Sequence, residues 1–134
     1  MEKKFYNLTN PQKNIWNMEQ YYKGTAVNNI GGTVHLKTQL DFSALSKAVS
    51  NVILAHDNFH IKLTKDGNNI KQIFVSLENY FVEIIDLNDM AELLLIEEKM
   101  CQTTFSMENS NLFCIKIFRL PDGTGGVISV MHHI

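Results

Sequence analysis

Around residue 40 the spacing of apolar side chains changes, and this change restricts the possible folds more than any other feature of the chain. Val34 and Leu36 alternate with Thr33, His35 and Lys37, the two-residue period of a strand. Shortly afterwards Phe42, Leu45, Val49, Val52 and Ile53 recur at three- and four-residue steps, which lines them along one side of a helix and marks them as core. Asp41 can cap that helix, and Leu40 and Leu45 are spaced as a hydrophobic staple across the cap. A pattern of one period cannot be buried in an element of the other. The chain must therefore interleave helices with strands.

The same reading extends in both directions. Thr9 with Gln12 forms a capping box, Pro11 is tolerated in a first turn, and the spacing predicts a helix from Asn10 to Tyr22 that Gly24 ends. An extended segment is expected over 27–37. Two strands, 59–64 and 70–76, flank Lys65-Asp66-Gly67-Asn68-Asn69, whose Gly and Asn residues tolerate positive φ, so they read as a hairpin. A further strand covers Phe81 to Asp86. Asn88 or Asp89 opens a third helix with Met90, Leu93, Leu94, Met100 and Cys101 as its buried face and Glu92, Glu97, Glu98 and Lys99 as a solvated one. Strands at 112–120 and 127–132 are joined by Pro121-Asp122-Gly123-Thr124-Gly125-Gly126. That glycine-rich loop precedes a strand and not a helix, so it reads as a hairpin turn and not as a phosphate cradle. Strands interspersed with helices, several of them in hairpins, imply an α/β (α+β) two-layer sandwich whose sheet is mixed and largely antiparallel.

Composition sets the outer bounds. At 134 residues the chain is one unit with room for a real core. Twelve basic residues nearly cancel 14 acidic ones, which gives no field for nucleic acid or an anionic membrane. No apolar run approaches the roughly 20 residues of a membrane span. The opening Met1-Glu2-Lys3-Lys4-Phe5 lacks the apolar core of a signal peptide, so the cytoplasm is the expected location. Cys101 and Cys114 then read as reduced thiols buried as small hydrophobes.

Chemistry concentrates at Met131-His132-His133-Ile134, where two histidines close the apolar run Val127-Ile128-Ser129-Val130-Met131. Successive strand side chains point to opposite faces, so one imidazole can face a site while the other is turned into the domain. Imidazole titrates near neutrality, which suits a strand-end histidine to take a proton at physiological pH. Among the remaining histidines, His35 reads as a strand surface residue and His56 as a helix-terminal one favoured by the local dipole. A zinc site from His132, His133, His56 and His60 is disfavoured, because adjacent strand histidines cannot easily chelate one ion and no paired-ligand spacing is present. Trp16 reads as a helix-packing aromatic.

Met131-His132-His133-Ile134 resembles the first half of the His-His-x-x-x-Asp-Gly motif of nonribosomal peptide synthetase condensation domains, with the aspartate and glycine expected just past residue 134. Two further stretches carry the resemblance in the same order and spacing. Leu8-Thr9-Asn10-Pro11-Gln12-Lys13-Asn14-Ile15-Trp16 is similar to the first core motif of these domains, a Leu-Thr/Ser-x-x-Gln run ending in an aromatic. His56-Asp57-Asn58-Phe59-His60-Ile61-Lys62-Leu63 stands in place of the second, a His-Glu-x-Leu-Arg-Thr-x-Phe pattern. The resemblance covers essentially the whole chain.

It implies that residues 1–134 form the N-terminal subdomain, one lobe of a pseudo-dimer related to chloramphenicol acetyltransferase, with a cleft and tunnel against a C-terminal lobe. In such domains acyl and peptidyl carrier proteins deliver phosphopantetheine-bound substrates from opposite ends of the tunnel, and an amide forms between acyl donor and aminoacyl acceptor. The lobe itself binds no cofactor and no metal. The resemblance makes His133 the catalytic histidine, accepting the amine proton or orienting the amine, and His132 its structural neighbour. His60 occupies the position of the arginine that pairs with the motif aspartate, so that ion pair is altered here. The run from Trp16 to Asn29 looks like starter condensation domains of lipopeptide synthetases. An epimerization domain and a non-catalytic, carrier-binding lobe remain the alternatives.

Overall fold

A computed structural model describes residues 4–134, so Met1 to Lys3 of the opening run lie outside the described residues. In chain order the elements are β1 (Tyr6–Asn7), α1 (Asn10–Tyr21), β2 (Asn29–Leu36), α2 (Phe42–Ala55), a 3-10 turn (Asp57–His60), β3 (Ile61–Asp66), β4 (Asn69–Phe74), β5 (Glu83–Asp86), α3 (Met90–Cys101), β6 (Phe113–Arg119) and β7 (Gly125–His132).

Local chemistry sets the helix starts. The Thr9 hydroxyl accepts from the Gln12 N–H while the Gln12 side chain accepts from the Thr9 N–H, both halves of the capping box. Asp41 accepts from the Ala44 N–H at 3.0 Å and Asp89 from the Glu92 N–H at 2.9 Å, which settles the third helix start on Asp89. The hairpin turns at Gly67, whose φ of +59° is the left-handed conformation that only glycine takes without cost.

The strands divide between two sheets and not one. The first, in order β1-β4-β3, is antiparallel; the second, in order β2-β7-β6-β5, is antiparallel except that β5 runs parallel to β6. Two expected strands start later than their apolar patterns suggest. Phe59 falls in the 3-10 turn, its N–H on the His56 carbonyl at 3.1 Å, and its ring meets Phe113 edge-on. Phe81 is outside β5 and exposed.

In the four-stranded sheet, alternation makes two apolar faces. Phe118, Ile128 and Val130, all fully buried, pack with Leu93 and Met100 of α3 on one face. Ile115 and Ile117 pack with Ile53 of α2 on the other, flanked by Phe42, Leu45 and Val49. Helices thus cover both faces of this sheet. The inward line of α3 runs Leu93, Ile96, Met100, and the expected face needs correction: Leu94, one residue off that line, is 63% exposed, and Met90 is exposed as well. Glu97, expected in solvent, is half-buried and accepts from the Thr33 hydroxyl at 2.6 Å.

Strand β2 also departs from expectation. Its apolar residues face away from α3: Val34 is 61% exposed and Ile30 56%, while the polar Thr33 and His35 point toward the α3 side. The β7 glycines serve close packing. A Cβ on Gly126 would run into the Val34 carbonyl oxygen on the neighbouring strand.

Candidate active site

Helix α1 contributes the first component. Gln12, Ile15, Trp16 and Glu19 follow the three- and four-residue steps of one helix face, and that face packs inward, so Glu19 is buried with only 5% of its surface exposed. A buried carboxylate needs compensating hydrogen bonds. Glu19 Oε2 accepts from Asn28 Nδ2 at 2.8 Å and lies 3.1 Å from His132 Nε2. The other His132 nitrogen, Nδ1, accepts from the Ile134 N–H at 3.2 Å. With Nδ1 accepting, the ring proton sits on Nε2 and is donated to Glu19.

Strand pairing fixes where this network sits. Asn29 of β2 pairs with His132 of β7, and the Asn29 side chain donates to the carbonyls of Cys101 and Thr103 at 3.0 and 2.7 Å. The His132 N–H donates to the Leu112 carbonyl and the His133 N–H to the Asn28 carbonyl, each at 2.9 Å. The end of β7 is therefore held from both sides. His132 turns inward, its side chain 3% exposed, and His133 turns outward into solvent.

His133 opens onto a cleft of about 660 Å³ that Ile30, Phe59, Ile61, Phe113 and Met131 line with apolar surface and Gln12, His56, Asn58 and Ser129 with polar groups. The exposed side of β2 supplies one wall, and the chain around the 3-10 turn supplies another. The site is mostly apolar with a few polar groups, the usual composition of a small-molecule site.

The other sequence candidates are distributed differently. His60 does not line the cleft; its Nε2 lies 3.3 Å from the Ile53 carbonyl near the end of α2. His56, read as a plain helix terminus, does line it. His35 is half-buried and bonds Thr124 Oγ1 at 3.2 Å, so it is not a surface residue. Cys101 and Cys114 are free and half-buried. Among the described residues no three His, Cys, Asp or Glu side chains are grouped to hold a metal ion, and no helix is long and apolar enough to cross a membrane.

Comparison with known proteins now decides the family. The condensation-domain family model matches residues 2–134. The chain belongs to the condensation-domain family. It is 24% identical over 134 residues to one of the subunits of the linear gramicidin synthase of Brevibacillus parabrevis, covering 95% of this chain and 3% of that protein. It is 31% identical over 78 residues to surfactin synthase subunit 1 of Bacillus subtilis (strain 168), covering 57% of this chain and 2% of that one. The condensation domain from the monacolin K polyketide synthase MokA superposes with a TM-score of 0.86 at 19% identity, over 96% of this chain and 30% of that one. A mutant of the starter condensation domain of rhizomide synthetase RzmA, in complex with C8-CoA, gives 0.86 at 18% identity, over 96% and 31%. The chain thus spans a few per cent of the length of these synthetases and about a third of the solved chains. The expected fold class, mixed α/β with largely antiparallel strands and packed helices, is the fold observed, and it matches part of the condensation-domain structures.

The double histidine is visible in the sequence, whereas the roles of Glu19 and Asn28 emerge from the structure. The signal for Glu19 was available: an acid in the same helical phase as Ile15 and Trp16, on the side that must be buried.

Proposed function

We propose that this chain supplies the histidine-bearing wall of a condensation site that joins an acyl thioester, carried by a carrier protein or by CoA, to the amine of a carrier-bound aminoacyl group. The observation that carries the proposal is His133: an exposed imidazole at a braced strand end, opening on a largely apolar cleft. In the reaction the amine nitrogen attacks the thioester carbon, the C–S bond breaks, and the nitrogen sheds a proton as the thiolate leaves. His133 stands where it can accept that proton or orient the amine, and pass the proton to the departing sulfur. His132 serves as the packed neighbour that holds the strand end. His60 acts from outside the cleft, in the 3-10 turn, supporting the wall through its contact with the Ile53 carbonyl of α2.

The remaining assignments follow from the same reading. Residues 1–134 act as the N-terminal lobe, and a C-terminal lobe docks over the open side of β2 to complete a tunnel. Substrates arrive on phosphopantetheine arms of carrier proteins, and the lobe uses no resident cofactor. The apolar lining by Ile30, Phe59, Ile61, Phe113 and Met131 suits a fatty acyl donor, in keeping with a starter-type domain of the cytoplasm.

The test is condensation between acyl-loaded and aminoacyl-loaded carriers, with product detected by mass spectrometry. In the full parent domain His133→Ala is expected to lower the rate by about 10²–10⁴ without loss of folding, the usual contribution of a positioned acid–base group. The 134-residue chain alone is expected to be inert, because half a tunnel cannot hold both substrates at one point. A fully active His133→Ala parent domain sinks the assigned role, and one that inverts the α-carbon of a tethered aminoacyl group without forming an amide is an epimerase.

A further inference from the structure

The acid buried behind the double histidine has no part in the chemistry proposed above, yet its surroundings are specific. Glu19 reaches across from α1 to the end of β7, and the same oxygen meets both Asn28 Nδ2 and His132 Nε2. Both side chains of the Glu19–His132 pair are nearly solvent-free, 7% and 3% exposed. A histidine in that environment can carry its single ring proton on either nitrogen, and the two choices have different consequences. With the proton on Nε2, both ring nitrogens are satisfied: Nε2 donates to Glu19 and Nδ1 accepts from the Ile134 N–H. With the proton on Nδ1, the Ile134 N–H faces a donor and Glu19 faces a bare lone pair, so both bonds are lost.

We infer that Glu19 is a positioning residue: its carboxylate sets the Nε2–H tautomer of His132, and the Nδ1 acceptor this leaves holds the backbone immediately after His133. The bond from Ile134 spans the residue that bears the outward imidazole. It pins the chain on the C-terminal side of His133, while the bond from the His133 N–H to the Asn28 carbonyl pins it on the other. Asn28 therefore acts twice, tethering the carboxylate through its side chain and the strand end through its backbone. His132, tucked into the domain, is the link between a buried acid and an exposed imidazole. As a consequence for catalysis, the inference rests on the condensation reading; as a statement about the tautomer, it does not.

The experiment uses the full parent domain with 15N-labelled histidine. In the unsubstituted domain the His132 signal is expected to show Nε2 protonated and Nδ1 bare, and in Glu19→Ala a mixture of the two tautomers. Glu19→Gln keeps an oxygen acceptor for both donors and is expected to restore the single tautomer. In the condensation assay Glu19→Ala is expected to lower kcat by about tenfold to a hundredfold, the size of effect a small misplacement of a reacting group produces, with KM for both carriers little changed. Glu19→Gln is expected to recover most of that loss.

An unchanged His132 tautomer in Glu19→Ala overturns the inference. So does a Glu19→Ala domain that melts at lower temperature yet keeps its kcat well below the melting point, since that is a purely structural role. If Glu19→Ala does not fold, Glu19→Met, which keeps most of the side-chain volume and removes the acceptor facing His132, is measured instead, and a single unaltered tautomer there overturns the inference equally. Should the tautomer depend on Glu19 while even the unsubstituted domain forms no amide, the positioning of His132 stands and the condensation reading fails.

Discussion

The two faces of the four-stranded sheet are built from the same strands and end up differently. On the α3 side Phe118, Ile128 and Val130 are sealed under Leu93 and Met100, with every one of these side chains buried. On the α2 side the cover extends over β6 and part of β7, and the apolar residues of β2, Ile30, Val34 and Leu36, stay exposed along with Met131. One face is finished as a core, and the other remains open beside the histidine that faces the cleft. A sheet edge with apolar side chains in solvent marks a contact or a ligand wall more often than a surface at rest. The difference between the faces thus points to the same place as the double histidine.

The largest effect expected from this contrast is on stability. Phe118→Ala should cost about 3–5 kcal/mol in urea unfolding of the 134-residue chain at low concentration, since it removes a fully buried ring and leaves a cavity. Val34→Ala, on the same sheet but facing outward, should stay within about 0.5 kcal/mol. Equal costs for the two would erase the distinction between a closed and an open face. Next in size is association. The 134-residue chain should self-associate at high concentration through the open side of β2, and Ile30→Glu with Val34→Glu should return it to a monomer in sedimentation. A strictly monomeric unsubstituted chain would mean that the open face is not adhesive.

The smallest expected effect is electrostatic and lies at the far edge of the sheet. Arg119 Nε and Nη2 donate to the two oxygens of Asp86 at 2.5 and 3.0 Å, and this pairing holds the Asp86 carboxyl below its ordinary value of 3.8. A carboxylate whose pKa is lowered by folding stabilises the fold above its unfolded pKa and loses that contribution as pH falls through the folded one. The contribution of this pair should therefore be lost only as pH falls below about 3.8, and Asp86→Asn should remove that small loss. Both groups are exposed, so water screens the pair and the change should be small. An effect on stability at neutral pH larger than that of Val34→Ala would show that this edge matters more than its exposure suggests.

Much of this is legible without coordinates, and the exceptions share one cause. Thr9, Asp41 and Asp89 act within their own helix turns; the first two cap where the spacing predicts them, and Asp89 is one of the two positions it allows for the third helix. The stripe of α2 is core because a helix face is a local property. Leu94 fits the apolar stripe of α3 and is exposed, and Val34 is the apolar side of its strand's alternation and faces out; in both cases the pattern is right about the element and silent about its partner. Glu97 and His35 read as solvated and are half-buried against Thr33 and Thr124. His60 occupies a motif position, yet the turn that carries it aims its ring at the Ile53 carbonyl and leaves His56 to line the cleft.

By itself the sequence determined the succession of helices and strands from α1 onward, the helix starts to within a residue, the alternation that separates His132 from His133, and the family to which the motifs belong. These depend on neighbours within a few positions, through backbone periodicity and short-range capping bonds. The tertiary structure alone decided that the strands divide into two sheets, that α3 seals one face while β2 leaves the other open, and that Glu19 meets His132 from 113 residues away. Those outcomes depend on which apolar faces bury each other and on the need of a buried charge for partners, and neither is written in the spacing of any one segment.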